Sequence, residues 1–280
     1  MITYAHPEVL VDTQWVVDHL SDPNVRIIEA AMNPELYNSG HIPSAVFWNM
    51  ITDLLLSDYR TNFDPTAWEK LLSRSGITNN TTVITYSDFP ALEVSLFWLF
   101  KIFGHRDVRV LNGGRRKWVA EGRPLTTTLP TIVPTHYQIQ ASDPSSRIFW
   151  NEVRESIGKE NSVLVDVRTP QEYSGEWFII RPPQGKEQGG HISGAVHVCY
   201  DLTLNEDGTF KSFEDLQTLY SSKGITPDNN VITYCAVGAR SAHTWFVLKY
   251  LLGYPNVQNY DGSWTEWSQL PNMPIESISA

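Results

Sequence analysis

Three short blocks recur in this chain, in the same order and at nearly constant spacing. Val83-Ile84-Thr85-Tyr86 returns as Val231-Ile232-Thr233-Tyr234, an offset of 148 residues. Gly40-His41-Ile42 through Val46 returns as Gly190-His191-Ile192 through Val196, at an offset of 150. Leu111-Asn112-Gly113-Gly114 through Trp118 matches Tyr260-Asp261-Gly262-Ser263 through Trp267, at 149. A fixed offset of this kind means one folding unit written twice. The 280 residues then divide into two domains of about 140, an ordinary domain size. We read residues 1–126 as the first domain, 127–145 as a linker and 146–280 as the second domain. The linker begins in a Pro/Thr-rich stretch, Pro124 to Pro134, which cannot sustain a helix and is expected to be extended.

Within each unit short β-rich runs alternate with apolar segments at helical spacing. Val25–Ile28, Val83–Tyr86 and Arg109–Leu111 read as strands. Ala91–Phe103 reads as a helix closed by Gly104, and Ser241–Leu252 as its counterpart closed by Gly253. Their few polar positions require burial on most faces. Strands alternating with helices predict an α/β fold: tandem domains, each a mostly parallel sheet with helices on both faces.

The formal net charge of -10 argues against a nucleic-acid partner, which needs a basic field. Any anionic substrate must be held by local dipoles and a few cations, against the global field. No run approaches twenty apolar residues, so no membrane span is expected, and the N-terminus shows no signal peptide. The two cysteines, Cys199 and Cys235, form no metal-ligand spacing, and their scarcity suggests a reducing compartment, the cytoplasm.

The repeats part company at one place. After Val231–Tyr234 come Cys235, Ala236, Val237, Gly238, Ala239, Arg240 and Ser241, then a helix. After Val83–Tyr86 come Ser87, Asp88, Phe89, Pro90, Ala91, Leu92 and Glu93. Cys235 thus falls where a parallel strand meets a helix, at the carboxyl edge where open α/β sheets bind ligands. A loop of small residues there can turn successive N–H groups toward the sulfur, with the helix dipole behind them, which favours thiolate over thiol. The first repeat offers no such nucleophile. Ser87 lacks a base, Asp88 and Glu93 would repel an anion, and Pro90 removes a donor. Cys199 has no comparable setting and reads as structural.

These residues resemble the two-domain rhodanese family of thiosulfate and 3-mercaptopyruvate sulfurtransferases. The resemblance covers almost the whole chain, including both Gly-His-Ile turns and Asp166-Val167-Arg168. Its strongest part is the run from Cys235 through Trp264, which looks like bacterial thiosulfate sulfurtransferases. It implies two rhodanese domains with a silent N-terminal one, a persulfide intermediate on Cys235, and no metal or organic cofactor. The implied reaction moves a sulfane sulfur from a small anionic donor to cyanide or a thiol. A sulfur-accepting protein is an alternative acceptor, and a monomer is expected.

The loop Ala236 to Ser241 would supply backbone donors. Arg240 either pairs with a carboxylate to hold the loop or meets the donor. Asp166 and Arg168 would brace the site, and His41 and His191, present in both repeats, read as structural turn residues. Vertebrate-type members carry a donor-binding arginine at the position of Glu172 and basic residues at those of Ala236 and Val237. Thiosulfate recognition would then turn to Arg240, Arg181 or Lys186. Alternatives are 3-mercaptopyruvate as donor, or a sulfur-relay or regulatory module without turnover. A phosphatase fits poorly, because its cysteine–arginine loop is one residue longer.

Overall fold

The computed structural model describes residues 3–277. The chain divides into two compact units. One holds Glu8–Pro144 with Asn205–Phe210; the other holds Ser145–Leu204 and the residues from Lys211 on, with the N-terminal residues through Pro7.

The strands are β1 (Leu10–Val11), β2 (Val25–Ala31), β3 (Val46–Asn49), β4 (Thr82–Ser87), β5 (Val108–Leu111), β6 (Ser162–Asp166), β7 (His191–Ile192), β8 (Val196–His197), β9 (Asn230–Tyr234), β10 (Val257–Asn259) and β11 (Ile275–Glu276). The first unit contains a wholly parallel sheet in the order β1-β5-β4-β2-β3. The second repeats it as β10-β9-β6-β8, also parallel, with β7 and β11 as a small antiparallel pair. The missing edge strand is replaced by a single parallel bridge between Arg147 and Asn259. The architecture is thus the expected α/β one, two mostly parallel sheets flanked by helices.

Strands buried on both faces read as near-continuous apolar runs, as Val83-Ile84 and Val231-Ile232 do. The Leu92–Ile102 helix is buried at every position but Lys101. Its counterpart begins at Ala239, two residues earlier than expected, and so takes Arg240 into its first turn. It also changes to π-helical winding over Val247–Leu251 before ending at Gly253 (φ +73°).

The residues after Pro124 are extended, but they are fastened to the first unit. Thr135 donates its N–H to Ser73 O (2.9 Å), Asp143 donates to Ile102 O (2.8 Å), and the buried Tyr137 hydroxyl lies 3.1 Å from His105 Nδ1. Pro124 and Pro134 stay exposed, and Tyr137 is the side chain that this stretch buries.

The repeated residues do the same job twice. Ile42 N–H donates to the Tyr86 hydroxyl (3.1 Å), as Ile192 N–H does to that of Tyr234 (3.0 Å). Thr85 Oγ1 donates to Glu93 O (2.9 Å), and Thr233 Oγ1 to Ser241 O (3.0 Å), tying each central strand to the helix that follows it. His41 stacks on Tyr37 and His191 on Tyr173, both at 3.8 Å between ring centres. Each histidine also contacts the carbonyl of its stacking partner through Nδ1 at 2.9 Å.

Tyr86 also donates to the buried Glu29 carboxylate. Tyr86→Phe would leave the buried Ile42 N–H without its acceptor and take one donor from Glu29, which keeps Arg115, so we expect a loss of about 2 kcal/mol. A urea unfolding midpoint measures it, and an unchanged midpoint would contradict this account.

Candidate active site

Cys235 is the first residue after β9 and is fully buried. The turn that follows inverts the usual direction of backbone groups. Carbonyls face outward and are taken: Cys235 O by Trp264 N–H (3.0 Å), Ala236 O by Thr265 N–H (3.1 Å) and Gly238 O by Ala242 N–H (3.1 Å). The amides are left over. Gly238 N–H donates to Cys235 Sγ at 3.0 Å, while those of Ala236, Val237, Ala239 and Arg240 meet no carbonyl among the described residues. Successive free N–H groups around a concavity make an anion-binding nest, reinforced here by the helix that starts at Ala239.

Gly238 is required twice over. It sits at φ +96°, and a Cβ there would come within 2.9 Å of Asp261 backbone atoms. Two hydroxyls complete the turn. Ser241 Oγ lies 3.6 Å from the sulfur and 3.0 Å from Gly238 O, so its one proton serves either. Ser263 Oγ accepts from Cys235 N–H (3.1 Å), donates to Tyr260 O (2.8 Å) and lies 4.0 Å from Sγ.

Ser263 escaped the sequence reading. It is buried and held at φ +54°, a conformation costly for a residue with a side chain. Its counterpart in the first repeat is Gly114 at φ +51°. That glycine-to-serine change beside the cysteine was the available signal.

Arg240 resolves in favour of its carboxylate. Its two terminal nitrogens donate to Glu172 Oε1 and Oε2, both at 2.7 Å. Burial pushes the Glu172 carboxyl up, but the Arg240 hydrogen bond and charge outweigh it and leave the group below its ordinary value. Thr169 N–H (3.0 Å) and Oγ1 (2.9 Å) also donate to Glu172, whose own N–H returns to Thr169 Oγ1 (3.3 Å) in a capping box.

Asp166 lies level with Tyr234 across the β6–β9 ladder, one residue before Cys235. It accepts from Arg168 at Nη2 (2.6 Å) and Nε, and the pair is fully buried. Arg168 continues to Gly190 O (2.7 Å), with its guanidinium 4.6 Å over the Trp264 ring. Trp264, under that guanidinium, is the residue whose N–H holds Cys235 O.

Arg181 lies apart from this cluster in its bonding. Glu187, in the same loop, takes both of its terminal nitrogens (2.7 and 2.9 Å), and no bond joins Arg181 to the 235–241 turn. Lys186 is exposed in that loop. Cys199 is buried, and burial together with neighbouring Asp201 pushes its thiol up to about 12, so it stays protonated. Among the described residues no three His, Cys, Asp or Glu side chains cluster as a metal ion would require.

The equivalent turn in the first unit is plugged. Ser87 Oγ accepts from Phe89 N–H (3.1 Å), and Glu93, at the position of Ser241, folds back so that Oε2 accepts from Ala91 N–H (3.2 Å). Ala91, not a glycine, carries the positive φ of +125°. The expected repulsion by Glu93 needs amendment, because burial pushes this carboxyl up to about 7 against the pull of its N–H bonds. At neutral pH it is only partly charged.

The native Glu93 holds a proton that the unfolded chain releases above pH 4.5. Stability should therefore fall as pH rises from about 4.5 to about 7, and level off above. Glu93→Gln should flatten that decline, worth on the order of 2 kcal/mol. Urea unfolding of both proteins at pH 5 and pH 8 tests this, and parallel profiles would refute it.

Both units of the chain have counterparts among known proteins. The model of the rhodanese-like domain matches twice, over residues 12–121 and 149–270. The sulfur carrier protein TtuD of Thermus thermophilus is 47% identical, over 97% of this chain and 98% of its own. A Saccharopolyspora erythraea protein provisionally named a thiosulfate sulfurtransferase is 42% identical over 96% of both chains. Among solved structures, EanB captured as a cysteine persulfide with ergothioneine superposes with a TM-score of 0.88 at 26% identity, covering 100% of this chain and 73% of that one. The anaerobic ergothioneine biosynthesis enzyme of Chlorobium limicola, bound to trimethyl histidine, gives 0.87 at 27%, covering 100% and 72%.

Proposed function

The chain belongs to the rhodanese-like domain family of sulfurtransferases and sulfur-relay proteins, and on that premise we propose that Cys235 carries a sulfane sulfur from thiosulfate to a thiophilic acceptor. The observation that carries the reading is the turn of unpaired N–H groups closed on a buried Sγ, with Gly238 N–H donating at 3.0 Å.

The Cys235 thiolate attacks the outer sulfur of thiosulfate. The sulfur–sulfur bond breaks and its electron pair leaves with sulfite, so Cys235 gains one sulfur as a persulfide anion. Nest amides oriented before the reaction stabilise that anion without reorganising. Cyanide or a thiolate then attacks the outer persulfide sulfur, taking it away and restoring the Cys235 thiolate. Ser263 fixes Cys235 N–H and with it the start of the turn. Asp166–Arg168 and Glu172–Arg240 hold the turn from either side. The first unit, with its nest filled by Glu93, takes no part in sulfur transfer.

A second reading, relay to an accepting protein, is favoured by the 47% identity to a sulfur carrier protein. It uses the same persulfide and differs only in the acceptor. 3-Mercaptopyruvate, which would release pyruvate, is the other donor to weigh. The negative charge of the chain and the absence of any helix long and apolar enough to cross a membrane, among the described residues, agree with a small-molecule or protein substrate.

Turnover to thiocyanate should be measured with thiosulfate and with 3-mercaptopyruvate for wild type and Cys235→Ser. We expect the variant to lose activity by about a thousandfold or more. Mass spectrometry of wild type after thiosulfate alone should show one added sulfur on the peptide containing Cys235. An equally active serine variant would refute the role of Cys235. Loading without turnover on cyanide or thiols would favour relay. Ser263→Ala should lower kcat about tenfold through loss of turn geometry; a wild-type kcat would remove Ser263 from the site.

A further inference from the structure

The arginine that closes the nest is already committed to a carboxylate. Both terminal nitrogens of Arg240 are aimed at Glu172, and the guanidinium is largely covered. Glu172 is itself wholly buried, and Thr169 donates twice more to its Oε2. Neither member can swing toward a ligand without leaving the other buried and unpaired, which is strongly unfavourable. The first two loop residues after the sulfur, Ala236 and Val237, carry no charge.

Resting on the reading of Cys235 as the sulfur carrier, we propose that Glu172 is a positioning residue that sets the charge selectivity for the donor. By holding and neutralising Arg240 it leaves donor binding to backbone N–H groups. Such groups discriminate little between a doubly charged donor such as thiosulfate and a singly charged carboxylate such as 3-mercaptopyruvate. A free guanidinium at the same point would favour the dianion by its Coulomb attraction, which grows with donor charge.

The test is steady-state kinetics with both donors for wild type, Cys235→Ser, Glu172→Gln and the double variant Glu172→Gln/Arg240→Gln. In Glu172→Gln the amide cannot accept the two-pronged bond, and Arg240 is released with its charge uncancelled. We expect KM for thiosulfate to fall about tenfold and that for 3-mercaptopyruvate about threefold, beside any loss of kcat that the loosened turn brings equally to both donors. Raising ionic strength should erode the gain for thiosulfate most. In the double variant no charge remains, and the thiosulfate-to-mercaptopyruvate ratio of kcat/KM should return to within about threefold of wild type.

An unchanged donor ratio in Glu172→Gln, with or without a loss of kcat common to both donors, would reduce Glu172 to a loop brace and overturn the proposal. A ratio in the double variant about tenfold below wild type would overturn it too, because Arg240 would then already meet thiosulfate in the native enzyme. If Glu172→Gln does not fold, the double variant decides alone. Turnover surviving in Cys235→Ser would overturn the carrier reading and this inference with it. An unmoved donor ratio beside an inactive Cys235→Ser overturns this inference only.

Discussion

The chemistry around Cys235 depends on backbone N–H groups that the turn out of β9 leaves without carbonyl partners. Unpaired amides inside a protein are unfavourable, and a chain ordinarily removes them by forming ladder or helix. Here the surroundings remove that option by taking the carbonyls first. Trp264, Thr265 and Ala242 claim the outward oxygens of Cys235, Ala236 and Gly238. The amides are left without carbonyls, and that of Gly238 turns to the sulfur instead. The same geometry explains the first repeat. With no sulfur at Ser87, Glu93 supplies its own oxygen to the Ala91 amide.

Buried charge is the second constraint, and the two units meet it from different sequence positions. In the first, Arg115 reaches Glu29 at 3.2 Å and continues to Leu36 O and Gly40 O. In the second, Arg168 reaches Asp166 and continues to Gly190 O. Glu29 and Asp166 are each level with the tyrosine of their repeated Val-Ile-Thr-Tyr strand. The carboxylate and the glycine carbonyl are thus kept, while the arginine has moved from a helix to a strand end. Trp264 stands where Arg115 stood in the repeat, and its ring lies under the relocated guanidinium. Breaking either pair would isolate a buried charge, so the exchange had to conserve charge in place although not in sequence.

Much of this was legible from the chain. Repeated blocks gave the duplicated α/β fold, and the contrast between Cys235 and Ser87 pointed to one working site. The residues of the turn, Ala236 to Ser241, lie together as their adjacency in sequence required. What sequence could not give was pairing across distance. Glu172 and Arg240 are 68 positions apart, and nothing in either segment names the other. The sequence places a helix start at Ser241, but only the fold brings that helix N-terminus beside the one that begins at Pro170. Ser263 lies 28 positions from Cys235 and was hidden for a similar reason, although its glycine counterpart in the repeat marked the place. Arg181 has its partner close by in sequence instead. A cation in an insertion attracts attention, yet Glu187 six residues on satisfies it first.

The two units therefore share a scaffold and differ in how each fills one nest. A carboxyl on a short tether fills the first permanently, because its effective concentration exceeds that of any free ligand. The second keeps its nest open around a sulfur, and an open nest of amides would, next to a free arginine, hold a dianion tightly. Tight holding of a ground-state anion lowers KM without helping the sulfur leave, since the same contacts would persist to sulfite. A buried carboxylate that takes the arginine out of play relieves this while keeping its bulk and hydrogen bonds in the wall. Glu172 can thus serve stability and turnover together: the pair that braces the turn is also the pair that keeps its anion affinity moderate.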